Sequence, residues 1–213
     1  MEKNTKTYVN KHYRISIDIL FIFYYNNLSI EVIILYSLFI DTHDALITVA
    51  LINEEELLIK EKKSINSHSI YLVPMIKEIM EENNVSFKDL KEVLVVNGPG
   101  SFTGIRIGLS VAKTVAYALK IDIKTISSLA LYLISNESNN NSYAVIKDTK
   151  GYYIAFKKDE EIIEEYVNEI DEGINKVSNT LDLKKIYQYL KNKKPENVHL
   201  VKANYVKKIE VEK

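Results

Sequence analysis

The residues Val93–Leu119, VLVVNGPGSFTGIRIGLSVAKTVAYAL, contain the pattern that decides the fold. Val93–Val96 is a short continuous apolar run, which is typical of a buried strand, and a turn with glycine and proline follows it. From Thr103 onward the apolar residues recur at helical spacing, and Ser101 or Thr103 can cap the helix. The stretch therefore predicts a buried strand, a tight loop and a helix.

The predicted helix carries small residues four positions apart. They form a ridge where another helix could pack unusually close, and they are Gly104, Gly108, Ala112 and Ala116. Arg106 is one of two arginines in a chain that otherwise uses lysine, which hints at a planar contact with several donors. A phosphate-binding loop is the alternative, but the spacing matches neither GxxxxGK[ST] nor GxGxxG.

Composition limits the classes of function that the chain can have. The 213 residues carry a formal net charge of -1, so contact with RNA would need a local patch rather than a generally basic surface. The chain has no cysteine, which excludes disulfides and thiolate metal sites and favours the cytoplasm. An apolar segment at 15–40 is interrupted by Asp18, Asn26, Asn27 and Glu31, so we expect no membrane span.

Residues 1–33 differ from the rest, and we predict an atypical extension or a mis-called start of translation. From Ile34 the pattern predicts three antiparallel strands, a helix over residues 66–82, the strand and helix of the opening stretch, then a strand near 121–126 and a helix over 128–135. We assign residues 34–136 to an N-terminal lobe. The order of elements resembles one lobe of the actin and Hsp70-like fold.

The polar run ESNNNS at 137–142 predicts a linker, and residues 142–213 predict a smaller second lobe. Its pattern predicts a hairpin around DTKG at 148–151, a third strand, a helix over 182–190 and a strand over 198–201. Charge is sorted here, with acids at 159–172 and lysines at 184–213. Solvated faces explain both runs, while a basic patch near tRNA phosphate is the functional alternative.

Three segments together resemble the TsaB (YeaZ) family. They are FIDTHDALITVAL at 39–51, NSHSIYLVPMIKEIM at 66–80 and GPGSFTGIRIGLSVAKTVAYAL at 98–119. The resemblance implies an α/β actin/Hsp70-like (ASKHA), ribonuclease H-like fold, with one full N-terminal lobe and an abbreviated second lobe. It also implies a non-catalytic scaffold subunit for forming N6-threonylcarbamoyladenosine at position 37 of tRNAs that read codons beginning with A.

The implied partners are the catalytic subunit TsaD, the ATPase TsaE and, through the complex, tRNA. A homodimer is possible when the chain is alone, and ATP and metal are expected on the partner subunits rather than here. The interface with TsaD is predicted to use the helices over 66–82 and 103–119. The candidate residues are His68, Leu72, Ile76, Ile79, Ser101, Phe102, Thr103, Gly104, Arg106, Ile107, Gly108, Val111 and Ala112.

An enzyme is the alternative function, either a small phosphotransferase of the same fold or a metallopeptidase-like hydrolase. Asp41 follows the first strand, where actin-like enzymes hold metal-bound phosphate, but His43 stands where a glycine is wanted, so we expect Asp41 to cap its turn. A helical metal site with His68 would need a second ligand at position 72, which is Leu. We therefore predict no catalytic, cofactor-binding or metal-binding residue in this chain.

Overall fold

The computed structural model of the chain describes residues 34–64, 67–136, 141–159 and 161–206. Within it, Leu35–Lys213 form one compact unit. The predicted extension over 1–33, the linker residues 137–140 and the lysines at 207, 208 and 213 lie outside the described residues. What the sequence predicts for those segments therefore stays a prediction.

Eight strands and four α-helices are found in the described parts of the chain, in the order that the sequence predicts. They are β1 (Tyr36–Asp41), β2 (Leu46–Ile52), β3 (Leu57–Lys63), α1 (His68–Glu82), β4 (Leu90–Val96), α2 (Phe102–Leu119), β5 (Asp122–Ile126), α3 (Ser128–Ser135), β6 (Tyr143–Lys147), β7 (Tyr152–Lys158), β8 (Glu161–Val167) and α4 (Leu183–Lys191). A short 3-10 helix at Phe87–Asp89, which the sequence analysis missed, precedes β4.

The first five strands form one mixed sheet in the order β3-β2-β1-β4-β5. The pairs β1–β2 and β2–β3 are antiparallel, while β4 pairs in parallel with both β1 and β5. This arrangement of a meander followed by parallel strands is that of the ribonuclease H-like core, so the predicted α/β ASKHA-like fold is confirmed. The last three strands form a separate antiparallel sheet, β6-β7-β8.

Helices cover both faces of the main sheet. Leu38 and Ile40 of β1 point to a core built with α1 and α2, whereas Phe39 between them points to a core built with α3 and α4. All six residues of β1 are buried, as expected for a strand between two helical layers. The layers fix the carboxyl end of β1 next to the start of α2.

Helix α3 is shared by the two sheets. Ala130 and Leu131 pack with the main sheet, while Leu129 and Leu133 pack with Ala144 and Ala155 of the second sheet. A helix that is apolar on all sides is normally buried on all sides. The second sheet therefore has no helical layer of its own in the described residues beyond α3.

The C-terminal part returns to the main sheet instead of completing the second one. The buried residues of α4 belong to the core beneath β1 and β4, and the backbone N–H of Glu196 donates to the carbonyl of Ile123 on the β5 edge at 2.8 Å. The predicted strand over 198–201 is wrong, because these residues form a turn and an irregular strap. The backbone N–H groups of Leu200 and Val201 donate to the carbonyl of Asn197 within this turn, and Lys113 Nζ lies 3.0 Å from the carbonyl oxygen of Val201.

Candidate functional site

Asp41 ends β1, and its carboxylate is engaged within its own turn. Its Oδ1 accepts two hydrogen bonds from His43, one from the backbone N–H at 3.0 Å and one from Nδ1 of the imidazole ring at 2.7 Å. Asp41 is 2 % exposed. The prediction that Asp41 caps its turn is confirmed.

His43 continues this network into the fold. Its Nε2 lies 2.8 Å from the hydroxyl of Tyr132 on α3, and both rings are buried. Burial acts to lower the pKa of His43, but the charge of Asp41, its hydrogen bond and the charge of Asp44 together raise that pKa above its ordinary value. Burial and the same two carboxylates raise the pKa of Tyr132. Sequence reasoning missed Tyr132, because it lies far from the turn along the chain.

The glycine loop packs directly on this turn. The backbone N–H of Ser101 donates to the carbonyl of His43 at 2.6 Å. A Cβ on Gly100 would lie 2.2 Å from the same carbonyl oxygen, and a Cβ on Gly104 would lie 2.1 Å from the carbonyl oxygen of Thr42. The glycine loop and the first turn of α2 thus lie directly against the backbone of the turn that follows Asp41.

The small-residue ridge of α2 is covered by the same turn and by the core. A Cβ on Gly108 would lie 2.3 Å from Thr42 Oγ1, and Ala112 and Ala116 are buried. The predicted close approach is confirmed at Gly108, where this chain's own Thr42 makes it, and contact of the ridge with a partner helix stays a prediction. The sequence shows only that a close approach occurs, not which chain makes it.

Several other predicted interface residues are also inside the fold. Nε2 of His68 lies 2.7 Å from the carbonyl oxygen of Asp44, which ties the start of α1 to the β1–β2 turn. Leu72 and Ile79 belong to the core between α1, α2 and the sheet. Six of the predicted interface residues are buried within this chain, and their contact with a partner stays a prediction: His68, Leu72, Ile79, Gly104, Gly108 and Ala112.

A groove between α1 and α2 does remain open. Its volume is about 640 Å³, and the side chains that line it are mainly apolar. Ile76 forms part of its floor, and Val73 and Phe87 stand exposed by 56 % and 49 %. Its further lining residues include Met80, Val85, Val111 and Val115. Of the predicted anchors, Ile76 and Val111 meet here, and half-buried Ile107 packs against the core nearby.

The remaining candidates lie at the start of α2. The Ser101 side chain accepts a hydrogen bond from the backbone N–H of Gly104 at 3.2 Å, so its predicted capping role is confirmed. Phe102, Thr103 and Arg106 are exposed. Arg106 contacts this chain's own Tyr205, a pairing that the sequence analysis missed, since the two residues are far apart along the chain.

In the described parts of the chain, no cluster of three or more His, Cys, Asp or Glu side chains is placed to hold a metal ion. None of the helices in those parts has the length and apolar character needed to cross a bilayer.

Comparison with known proteins identifies the family. A family model described as TsaD, tRNA N6-adenosine threonylcarbamoyltransferase, matches residues 59–211. The chain is 31% identical over 124 residues to the tRNA threonylcarbamoyladenosine biosynthesis protein TsaB of Buchnera aphidicola (subsp. Baizongia pistaciae), and 34% identical over 91 residues to TsaB of Bacillus subtilis. The chain belongs to the TsaB/YeaZ family. The predicted membership is confirmed.

The matched segments cover 55% and 42% of this chain, and 56% and 40% of those two TsaB proteins. The chain thus matches about half the length of these relatives. The solved structure of YeaZ from Pseudomonas aeruginosa superimposes with a TM-score of 0.68, over 81% of this chain and 100% of that one, at 18% sequence identity. This likeness shows that the chain shares the YeaZ fold.

Proposed function

We propose that this chain is a non-catalytic subunit of the machinery that forms N6-threonylcarbamoyladenosine at position 37 of tRNAs reading codons that begin with A, and that it pairs with TsaD. The observation that carries the proposal is the open apolar groove between α1 and α2. Solvent-exposed apolar patches of this kind are typical of protein interaction sites. A TsaD helix would bury the groove's aliphatic side chains.

Val111 was among the anchors that the sequence suggested, and Val73, Phe87 and Val115 are added by the structure. Val73 and Phe87 present apolar surface that water now covers, and half-buried Val111 and Val115 line the opposite wall on α2. Burying a side chain of this size contributes about 1.5–3 kcal/mol. Lys77 and Glu81, which also line the groove, supply a polar rim that fixes the register of the partner helix.

The absence of a phosphate-binding turn supports a scaffold rather than the alternative phosphotransferase. The oxygen Oδ1 of Asp41 is held by two N–H groups of His43, and Gly100 and Gly104 lie against the turn so closely that not even a methyl group fits between them. A magnesium–nucleotide complex would need that carboxylate and those backbone amides. In this proposal ATP and metal therefore bind to TsaD and TsaE, and this chain carries no cofactor.

Charge substitutions in the groove test the pairing. Val73→Glu and Phe87→Glu each place a carboxylate on an exposed position, so the isolated chain should stay folded, while burial against TsaD becomes costly. Leu200→Glu is the matched control, because Leu200 is 75 % exposed and lies outside the groove. We expect both groove variants to weaken co-purification with TsaD at least about tenfold, which corresponds to about 1.4 kcal/mol. If all three variants co-purify with TsaD as well as the parent chain does, the assignment of the groove as the interface is refuted.

A further inference from the structure

A second pocket, of about 410 Å³, lies at the start of α2. Three segments form its walls: the glycine loop with the first turns of α2, the β6–β7 hairpin, and the C-terminal strap. The residues that line it are Pro99, Gly100, Phe102, Ile105, Arg106, Asp148, Tyr153, Ala203, Asn204 and Tyr205. This volume falls within the range of small-molecule sites, about 300–1,000 Å³.

Arg106 supplies the positive charge of this pocket, and its guanidinium group packs over the Phe102 ring. Its Cζ lies 3.7 Å from the centre of the Phe102 ring, and its Nε and Nη2 donate to the Tyr205 hydroxyl at 3.3 and 3.1 Å. No ion pair joins Arg106 to a carboxylate of the described residues. A guanidinium has five N–H donors in a plane, so three of them point away from Tyr205 and can bind phosphate oxygens in a forked geometry.

Aromatic rings supply flat surfaces beside this cation. Phe102 and Tyr205 are exposed by 57 % and 53 %, with ring centres 6.3 Å apart. Tyr153, whose ring packs edge-on against Tyr166, also lines the pocket. Exposed phenylalanine and tyrosine rings next to an arginine are the usual means by which proteins stack unpaired bases.

Two polar groups can read the edge of a base. Asp148 lines the pocket and accepts a hydrogen bond from the Tyr166 hydroxyl at 3.0 Å. Asn204 is positioned by its backbone N–H bond to the carbonyl of Asn97 at 2.8 Å and by its amide bond to Glu164 at 2.7 Å. The Asn204 amide nitrogen is used by Glu164, so its amide oxygen is the acceptor that faces an exocyclic amino group.

We propose that this pocket binds one unpaired nucleotide of RNA, with its base stacked on the Phe102 and Tyr205 rings and its phosphate on Arg106. The proposal deepens the role in tRNA modification and rests on that proposed function for the identity of the RNA. An acidic peptide would also neutralise Arg106. Three aromatic side chains, a single arginine and the carboxylate of Asp148 line the pocket, which suits a flat ring that carries one phosphate better than several carboxylates.

The test uses the full chain and a fluorescein-labelled RNA hairpin with the loop of a tRNA anticodon arm, followed by fluorescence anisotropy over a salt series. Phe102→Leu removes one stacking face and should weaken binding at least about fivefold. Arg106→Gln should weaken binding and make the plot of log K against log salt shallower by about 0.7, the change expected for one lost phosphate contact on a single strand. Tyr189→Leu removes an equally exposed aromatic ring on α4, 47 % exposed, and should bind like the parent chain.

Each outcome decides the inference separately from the pairing with TsaD. If Phe102→Leu and Arg106→Gln weaken RNA binding but still co-purify with TsaD, the pocket is supported. If the hairpin fails to bind, alone or in the TsaD complex, or if Tyr189→Leu weakens binding equally, the inference is overturned. Displacement of the hairpin by an acidic peptide of about ten residues at a similar concentration would also overturn it, in favour of a protein partner. Loss of TsaD binding by the groove variants, with RNA binding intact, concerns the proposed function alone.

Discussion

The hydroxyl of Thr42 donates a hydrogen bond to the backbone carbonyl of Gly104 at 2.8 Å, which joins the turn after β1 to the first turns of α2. The contact places Thr42 Oγ1 within 2.3 Å of where a Cβ on Gly108 would be. The glycines of α2 are thus required by this chain's own turn. Their effect on the fold can be measured without a partner.

Gly108→Ala should destabilise the chain by about 1–3 kcal/mol, because the new methyl group overlaps Thr42 Oγ1. The double substitution Thr42→Ala with Gly108→Ala removes the overlapping hydroxyl, so it should recover most of that loss, helped by the higher helix propensity of alanine. Urea unfolding of the two single variants and the double variant measures the coupling. Additive losses would show that the overlap is not what destabilises Gly108→Ala.

Gly104→Ala should be at least as harmful, about 2 kcal/mol or more, and Thr42→Ala should not rescue it. The Cβ at this position meets the backbone carbonyl oxygen of Thr42 at 2.1 Å, and a side-chain substitution does not remove a backbone atom. The same urea experiment checks this prediction. Rescue of Gly104→Ala by Thr42→Ala would contradict the geometry.

Stability should depend on the protonation of His43. The pKa of His43 is raised in the folded chain, so the stabilisation that protonation provides is fully present below the ordinary histidine value of about 6.5, and it is lost as pH rises through the folded value. The facing groups are Asp41, Asp44 and the hydroxyl of Tyr132. We expect the free energy of unfolding to fall as the pH rises above about 6.5, and His43→Gln to flatten this dependence.

His199→Gln serves as the control for that titration, since His199 is exposed and stacks edge-on against Tyr117. Its pH profile should follow that of the parent chain. A parent profile that does not fall over this range would show that the protonated form of His43 is not favoured by folding.

Calorimetry with Mg-ATP should show no saturable binding to the isolated chain. His43→Gly, which supplies the glycine that actin-like enzymes are expected to need, should not create binding, because Gly100 and Gly104 still lie against the backbone of the turn. A saturable binding heat with one Mg-ATP per chain, for the parent chain or for His43→Gly, would favour the phosphotransferase alternative over the scaffold.

Glu164 should hold the C-terminal strap in place. Its carboxylate accepts hydrogen bonds from the Asn204 amide at 2.7 Å and from the Ser127 hydroxyl. Glu164→Ala should speed amide hydrogen exchange at residues 201–205 about tenfold, which corresponds to a loss of about 1.4 kcal/mol. Glu165→Ala, at an exposed neighbouring position, is the matched control and should leave the exchange unchanged.

The sequence predicted the order of the strands and α-helices well, because each element carries its own apolar period and its own caps. It predicted the Asp41 turn for the same local reason. The sequence did not predict which residue of a distant segment packs against a given side chain. The ridge at Gly104 and Gly108 was assigned to a partner, and the pairings of His43 with Tyr132 and of Arg106 with Tyr205 were missed, because these contacts join distant parts of the chain.

The same limitation affected the C-terminal residues. The helical period of Leu183–Lys191 correctly predicted α4, but nothing in that period says which sheet it covers. Val198–Val201 is apolar enough for a strand, yet the edge of β5 is already bonded by Glu196, and the chain turns there. Local sequence patterns predicted the helices and strands, whereas the contacts that form the site depend on long-range packing.

The position of α3 between the two sheets has a consequence for how the chain comes apart. Leu129 and Leu133 pack in the core of the second sheet, while Ala130 and Leu131 pack in the core of the main sheet. Unfolding of either sheet would therefore expose apolar side chains in the core of the other. Severing the backbone at 137–140 would therefore yield two fragments that remain associated and denature in a single step, rather than two independently stable pieces.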